Sequence, residues 1–289
     1  MQTTMRDKIC IVTGATSGMG KATAAALAQM GATVILVARN QTRGELVCDE
    51  IRSQSGNTNV EVMLADLSSQ QSIRELADTF RQKYQHLHVL VNNAGGVFYK
   101  RETTVDGIEM TFAVDHLAYF LLTNLLFDML KASTPARIIN VSSNAERIGT
   151  IKFDDLQREK GYNGFGAYAQ AKLCNMLFSY ELARRLEGTG VTVNAITPGP
   201  VSTNFGSGGE GIFRLIPLIF RFGKKPEEGA QTAIYLASSP EVEGMSEKVF
   251  YNRKELQSSR KSHDVSVQKK LWRVSEELTG VHGTVEQAL

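Results

Sequence analysis

Apolar residues in this chain fall into short continuous runs separated by longer stretches with helical periodicity. Segments 9–12 (ICIV), 33–38 (TVILVA), 60–65 (VEVMLA), 89–91 (VLV), 137–141 (RIINV), 191–196 (VTVNAI) and 248–251 (KVFY) read as strands. Runs this apolar belong to parallel strands buried on both faces. Between them, 21–28, 40–55, 70–84, 106–131, 167–186 and 226–238 read as helices. Segment 267–278 reads as a terminal helix around the single tryptophan. Thr134-Pro135 supplies the stop signal after 106–131. Strand and helix alternate from end to end. The expected fold class is therefore α/β: a doubly wound parallel sheet of about seven strands with helices on both faces. One domain spanning 1–289 accounts for the pattern, with 253–289 as a C-terminal extension.

The turn after the first strand organises the rest. Thr13-Gly14-Ala15-Thr16-Ser17-Gly18-Met19-Gly20 joins a buried strand to the helix former Lys21-Ala22-Thr23-Ala24. Strand, glycine turn and helix together place a dinucleotide's phosphates at a helix N-terminus, as in a Rossmann-type sheet. Gly14 allows the tight turn, Gly18 lets backbone approach the pyrophosphate, and Gly20 lets helix pack on strand.

Bulk properties exclude several classes. The chain has 289 residues, 32 basic and 30 acidic, for a net charge of +2. Neither nucleic acid nor an anionic membrane is suggested as the main partner. Cys10, Cys48 and Cys174 are scattered and read as reduced packing residues of a cytoplasmic protein. No signal peptide or transmembrane run is evident. His86, His88, His116, His263 and His282 lack ligand-like spacing, which disfavours a metal site.

In such a sheet, ligands sit outside the C-terminal strand ends. Arg39 follows the second strand, where an acid would bind the ribose hydroxyls of NAD; a cation there favours the 2′-phosphate of NADP. Asp66 could accept from the adenine amino group or cap the following helix. Asn92–Gly95, Ser142-Ser143 and 197–203 lie at the other strand ends. Tyr168 and Lys172 are four apart on a helix and share one face. A nearby ammonium favours phenolate and lowers the pKa of a tyrosine. Ser143 can add a hydroxyl donor to a substrate oxygen.

Assembled in this order, the motifs resemble those of the short-chain dehydrogenase/reductase family, and most of all its retinol-dehydrogenase and protochlorophyllide-reductase-like branch. TGATSGMG (13–20) is similar to the family's cofactor loop, NNAG (92–95) to its fourth-strand motif and YAQAK (168–172) to its Tyr-x3-Lys. SS (142–143) resembles its serine site, PGPVST (198–203) its nicotinamide-side loop, and LWRVSEEL (271–278) that branch's terminal segment. The long interval from Ser143 to Tyr168 resembles an insertion seen in that branch. The resemblance implies Tyr168 as general acid/base, Lys172 as the group that depresses its pKa and binds the nicotinamide ribose, and Ser143 as the carbonyl-orienting hydroxyl. Pro198, Gly199, Val201 and Thr203 would frame the nicotinamide. Gly14, Thr16, Ser17, Gly18, Met19, Gly20, Arg39, Asp66, Leu67, Asn92, Ala94 and Gly95 would complete the NADP(H) contacts. The family usually has asparagine where this chain has Asp115. That position helps hold a proton-relay water in relatives, partly through its main-chain carbonyl, so activity is expected to persist. A buried Asp115 carboxylate could instead pair with Lys172 and alter the pH profile, or be a tolerated polar helix residue.

The function expected is an NADP(H)-dependent interconversion of a hydrophobic alcohol and its aldehyde or ketone. A non-catalytic NADP(H)-binding sensor or scaffold is the competing class. Segment 204–225, glycine-rich and then apolar, is compatible with a substrate lid, a core-packed helix or a membrane-surface contact. Phe98, Tyr99, Phe165 and Phe205 could line an apolar pocket or belong to the core. Assembly as a homodimer or homotetramer through 106–131 and 167–186 follows from the same resemblance.

Overall fold

The computed structural model describes residues 4–201 and 223–282. Thr203, Phe205 and nearly all of the 204–225 segment lie outside the described residues. Eight strands form one sheet in the order β3-β2-β1-β4-β5-β6-β7-β8. They are β1 (Ile9–Thr13), β2 (Thr33–Ala38), β3 (Val60–Leu64), β4 (Val89–Asn92), β5 (Ala136–Val141), β6 (Val191–Ile196), β7 (Lys248–Tyr251) and β8 (Lys254–Glu255). All neighbours pair in parallel except β7 with β8. The expected seven strands thus gain an eighth. Asn252 and Arg253 both take positive φ, 50° and 62°, and turn the chain tightly enough for a two-residue hairpin.

Helices α1 (Gly18–Gln29), α2 (Gln41–Ser55), α3 (Gln70–Lys83), α4 (Met110–Phe112), α5 (Ala118–Leu125), α6 (Phe127–Lys131), α7 (Gly164–Arg185), α8 (Pro226–Ser238) and α9 (Val265–Thr279) surround the sheet. Alternation along β1 explains the two faces. Cys10 and Val12 join Leu27, Ile51 and Leu236, from α1, α2 and α8. Ile11 joins Phe80, Phe120 and Phe178, from α3, α5 and α7. Helix α9 lies outside this second layer, and its Trp272 ring packs on Phe120 and Phe178 at 4.9 and 5.9 Å. Part of the α5/α7 surface expected to meet a partner subunit is therefore covered by the chain's own terminal helix.

The predicted continuous helix at 106–131 is corrected. Gly107 sits at φ 76°, and Glu109 turns its carboxylate back onto the amides of Thr111 and Phe112, so the helix starts at Met110. Ala113–Leu117 is a π-helical turn, and a second break falls at Leu126. The helix predicted from 167 instead starts at Gly164, because the Asn163 side chain accepts from the Gly166 amide at 2.8 Å. A 3₁₀ turn at Asn144–Ile148 occupies part of the expected loop.

Candidate active site

The strand order reverses between β1 and β4, and the crevice at their C-terminal ends is where such sheets take ligands. Thr13 ties the two strands together: its hydroxyl accepts from the amides of Asn93 and Ala94 at 2.8 and 3.0 Å. The Asn93 side chain donates to Thr13 O at 2.8 Å and so braces the glycine turn. Gly14 and Gly18 take φ of 64° and 55°. A Cβ on Gly20 would lie 2.4 Å from Gly14 O and 2.5 Å from Asn93 Nδ2, so only glycine fits. Helix α1 opens with Ser17 in an extended conformation, no side-chain cap and no acid in its first turn. Its leading amides and the positive end of its dipole are left for an anion. These features suit a dinucleotide's pyrophosphate.

Around this turn, Arg39 is exposed at the end of β2 and forms no ion pair among the described residues. Asp66 Oδ1 accepts from the Ser68 amide and hydroxyl at 3.0 and 2.7 Å. It closes the turn ahead of α3, whose cap is Ser69 rather than Asp66. Leu67 packs against the core. On the other side of the crevice, Gly199 has φ 76° and Val201 bridges to Lys224. Val201 and Met19 both pack on Gly229 of α8, which joins the 198–201 segment to the glycine turn.

Next to this crevice, α7 presents Tyr168 and Lys172, both buried. Ser143 stands close enough to Tyr168 for its hydroxyl to favour the ionised phenol. Ser143 also accepts from the Ala145 amide at 3.2 Å. The Ser142 hydroxyl donates to Lys172 O at 2.8 Å, which pins β5 to α7. Lys172 Nζ lies 3.0 Å from Asp115 Oδ2 and 3.5 Å from Val141 O. Asp115 Oδ1 accepts from the Gly96 amide at 2.9 Å. A Cβ on Gly95 would lie 2.9 Å from Asp115 Oδ2 and would displace the carboxylate. The Tyr119 hydroxyl donates to Ala94 O at 2.7 Å and holds the same loop.

Burial dominates the electrostatics. It raises the pKa of Asp115 above the usual carboxylate range, and the Lys172 ammonium only tempers the effect. Burial likewise raises the Tyr168 phenol; the Ser143 hydroxyl opposes this and the Asp115 carboxylate adds to it. The expected lowering of the Tyr168 pKa by Lys172 is not found. The ammonium stands 5.3 Å from the Tyr168 ring centroid but is paired with Asp115.

Several residues of the site had no individual role assigned from the sequence. Glu109 and Tyr162 lock two loops beside it: the Tyr162 hydroxyl is 3.0 Å from Glu109 Oε1 and 2.7 Å from Phe98 O. Asn93 and Tyr119 brace the end of β4, as described above. His116 is fully buried beside Asp115. An acid just before an apolar run is a cue for a cap at Glu109, but the continuous helix expected over 106–131 placed that residue inside it.

A sheet of this order with an open helix N-terminus at its reversal point defines a dinucleotide-binding enzyme fold. Residues 8–208 match the family model described as short chain dehydrogenase, and the chain belongs to that family. It is 45% identical over 294 residues to human retinol dehydrogenase 14, covering 96% of this chain and 88% of that protein. Human retinol dehydrogenase 11 is 43% identical over 274 residues, covering 95% and 86%. The chain is thus an oxidoreductase of the retinol-dehydrogenase-like branch, acting on CH–OH donors. A crystal structure from Mycobacterium paratuberculosis superposes with TM-score 0.79 at 32% identity, covering 96% of each chain. Another from Beutenbergia cavernae, described with bound NADP at low occupancy, gives TM-score 0.69 at 25% identity, covering 86% and 96%. No helix among the described residues is long and apolar enough to cross a membrane.

Proposed function

We propose that the chain is a single-domain NADP(H)-dependent oxidoreductase that interconverts a hydrophobic alcohol and its aldehyde or ketone. The observation that carries this reading is the buried Tyr168, next to Ser143 and one helical turn from Lys172, whose ammonium stands 5.3 Å from the Tyr168 ring centroid. A nicotinamide held in this crevice would supply or accept the hydride. Gly14, Thr16, Ser17, Gly18, Met19 and Gly20 would receive the pyrophosphate on α1, Arg39 the adenosine 2′-phosphate, and Asp66 and Leu67 the adenine side. Asn92, Ala94, Gly95, Pro198, Gly199, Val201 and Thr203 would frame the rest. Tyr168 delivers its proton to the carbonyl oxygen in reduction and takes it back in oxidation. Its raised pKa keeps that proton on the phenol at rest. Ser143 donates to the same oxygen and aligns it. Lys172 binds the ribose and, with Asp115, sets the field around the phenol. The buried free thiols Cys10, Cys48 and Cys174 suit a reducing, cytoplasmic setting. The comparisons lend no support to a non-catalytic sensor.

The test is NADPH oxidation screened across retinoid, steroid and small carbonyl compounds, with NADH in parallel. Tyr168→Phe should lose at least ~100-fold in turnover, the usual scale for a removed general acid, while binding NADPH normally. A fully active variant would overturn the assignment, and equal use of NADH would overturn the role of Arg39.

A further inference from the structure

His116 follows Asp115 in the π turn and is fully buried between Phe112 and Phe178, whose rings lie 5.3 and 6.1 Å away. Its two ring nitrogens reach different helices. Nδ1 lies 3.3 Å from Asn175 Oδ1 on α7, and Nε2 lies 3.1 Å from Ser275 Oγ on α9. Burial lowers the His116 pKa to about 4, so the ring is neutral at ordinary pH and carries one proton. With Asn175 Oδ1 accepting from Nδ1–H, Nε2 takes a share of the one Ser275 hydroxyl hydrogen, which also goes to Leu271 O at 2.8 Å. Asn175 in turn donates to Val141 O at 3.4 Å, the same carbonyl that stands 3.5 Å from Lys172 Nζ. A continuous buried chain thus runs from Ser275 through His116 and Asn175 to the end of β5.

That chain touches every element that carries the site: the turn with Asp115, the helix with Tyr168 and Lys172, and the strand end that leads into Ser143. Its far end is a residue 159 positions along the sequence from His116. Helix α9 is well seated to serve as an anchor, with Leu271 packed among Phe112, Leu173 and Leu177. A π turn holds one residue more than an α turn and is rarely stable unaided. Relaxation to α geometry would rotate Asp115 away from Lys172.

We propose that His116 and Ser275 are positioning residues: through their hydrogen bond the C-terminal helix holds the π turn, and so fixes the Asp115 carboxylate on Lys172. This rests on the reading of Tyr168 and Lys172 given above. A misplacement of about 1 Å can lower turnover by two orders of magnitude, so loss of this bond has a kinetic signature.

The experiment compares full-length Ser275→Ala, Ser275→Thr, His116→Phe, His116→Gln and Tyr168→Phe by NADPH oxidation with retinal, or with the best carbonyl of the screen if retinal is not turned over. Ser275→Ala should fold, since alanine is the stronger helix former. Ser275→Ala and His116→Phe are expected to lose about tenfold in kcat with KM within about twofold. Ser275→Thr and His116→Gln, which keep a hydroxyl and an amide at the junction, are expected to recover most of it. Wild-type kcat in Ser275→Ala, beside an inactive Tyr168→Phe, overturns the proposal and leaves the functional reading standing. Loss of thermal stability with no difference between His116→Gln and His116→Phe overturns it as well, by making the role structural only. A fully active Tyr168→Phe would show that the functional reading itself had failed.

Discussion

The Asp115–Lys172 pair poses the sharpest electrostatic question in the molecule, and Asp115→Asn tests it. Two unit charges 3.0 Å apart attract by about 5 kcal/mol at an effective dielectric near 20. Removing each ion from water costs several kcal/mol. The carboxylate is fully buried, so desolvation wins and its pKa rises above the ordinary 3.8. The folded chain then binds more protons than the unfolded chain in the window that opens near pH 4 and extends up to the raised value. The stability contributed by this carboxyl is present below that window and declines as pH rises through it. Each tenfold gain in proton affinity accounts for about 1.4 kcal/mol of that decline. Asparagine abolishes the titration, but its single carbonyl oxygen can serve either the Gly96 amide or Lys172, at a constant cost of about 1–3 kcal/mol.

Urea unfolding of both proteins between pH 4 and 8 reads out the balance. The stability advantage of the wild type over Asp115→Asn should shrink as pH rises, and can reverse by neutral pH. An advantage that grows with pH would mean that the ion pair outweighs burial, and would refute the reasoning.

Two further substitutions probe the fold around the site. Gly20→Ala gains about 1 kcal/mol of helix propensity but drives a methyl to 2.4 Å from Gly14 O, a backbone atom that cannot swing aside. Overpacking of this kind costs about 1–3 kcal/mol, so the variant should melt lower and lose NADPH binding in a fluorescence titration; wild-type binding would remove the steric argument. Trp272→Ala should cost about 3–5 kcal/mol in denaturant unfolding, the range for a buried aromatic, because it empties the contact between α9, Phe120 and Phe178. A loss under 1 kcal/mol would mean that α9 is not part of the core.

What could be read from the sequence was whatever depends on local pattern. The buried strands announced themselves as apolar runs because both faces of the sheet are covered. The glycine turn was legible because Gly14 and Gly18 need positive φ and Gly20 has no room for a side chain. Tyr168 and Lys172 were legible because their spacing is one helical turn. What escaped depends on distant contacts. The π turn at Ala113–Leu117 has no local signature, since its extra residue is accommodated by the Gly96 amide and, through His116, by Ser275. The pairing of Asp115 with Lys172 was one of several open readings, because nothing in the residue types says that both side chains are sealed from water. The same burial reversed the expected direction for the Tyr168 pKa.

The Asp115 carboxylate both occupies the nearest ammonium and adds a negative charge that raises the proton affinity of the Tyr168 phenol. Removing the charge frees the field of Lys172 to act on the phenol, so Tyr168 becomes more acidic in Asp115→Asn. Alcohol oxidation needs the phenolate as base, and its rate climbs as pH rises through the Tyr168 pKa. In Asp115→Asn that climb should begin at lower pH than in the wild type, with turnover retained. A climb at the same or higher pH would mean that Asp115 carries no charge when the enzyme works, and that the phenol is governed by burial and Ser143 alone.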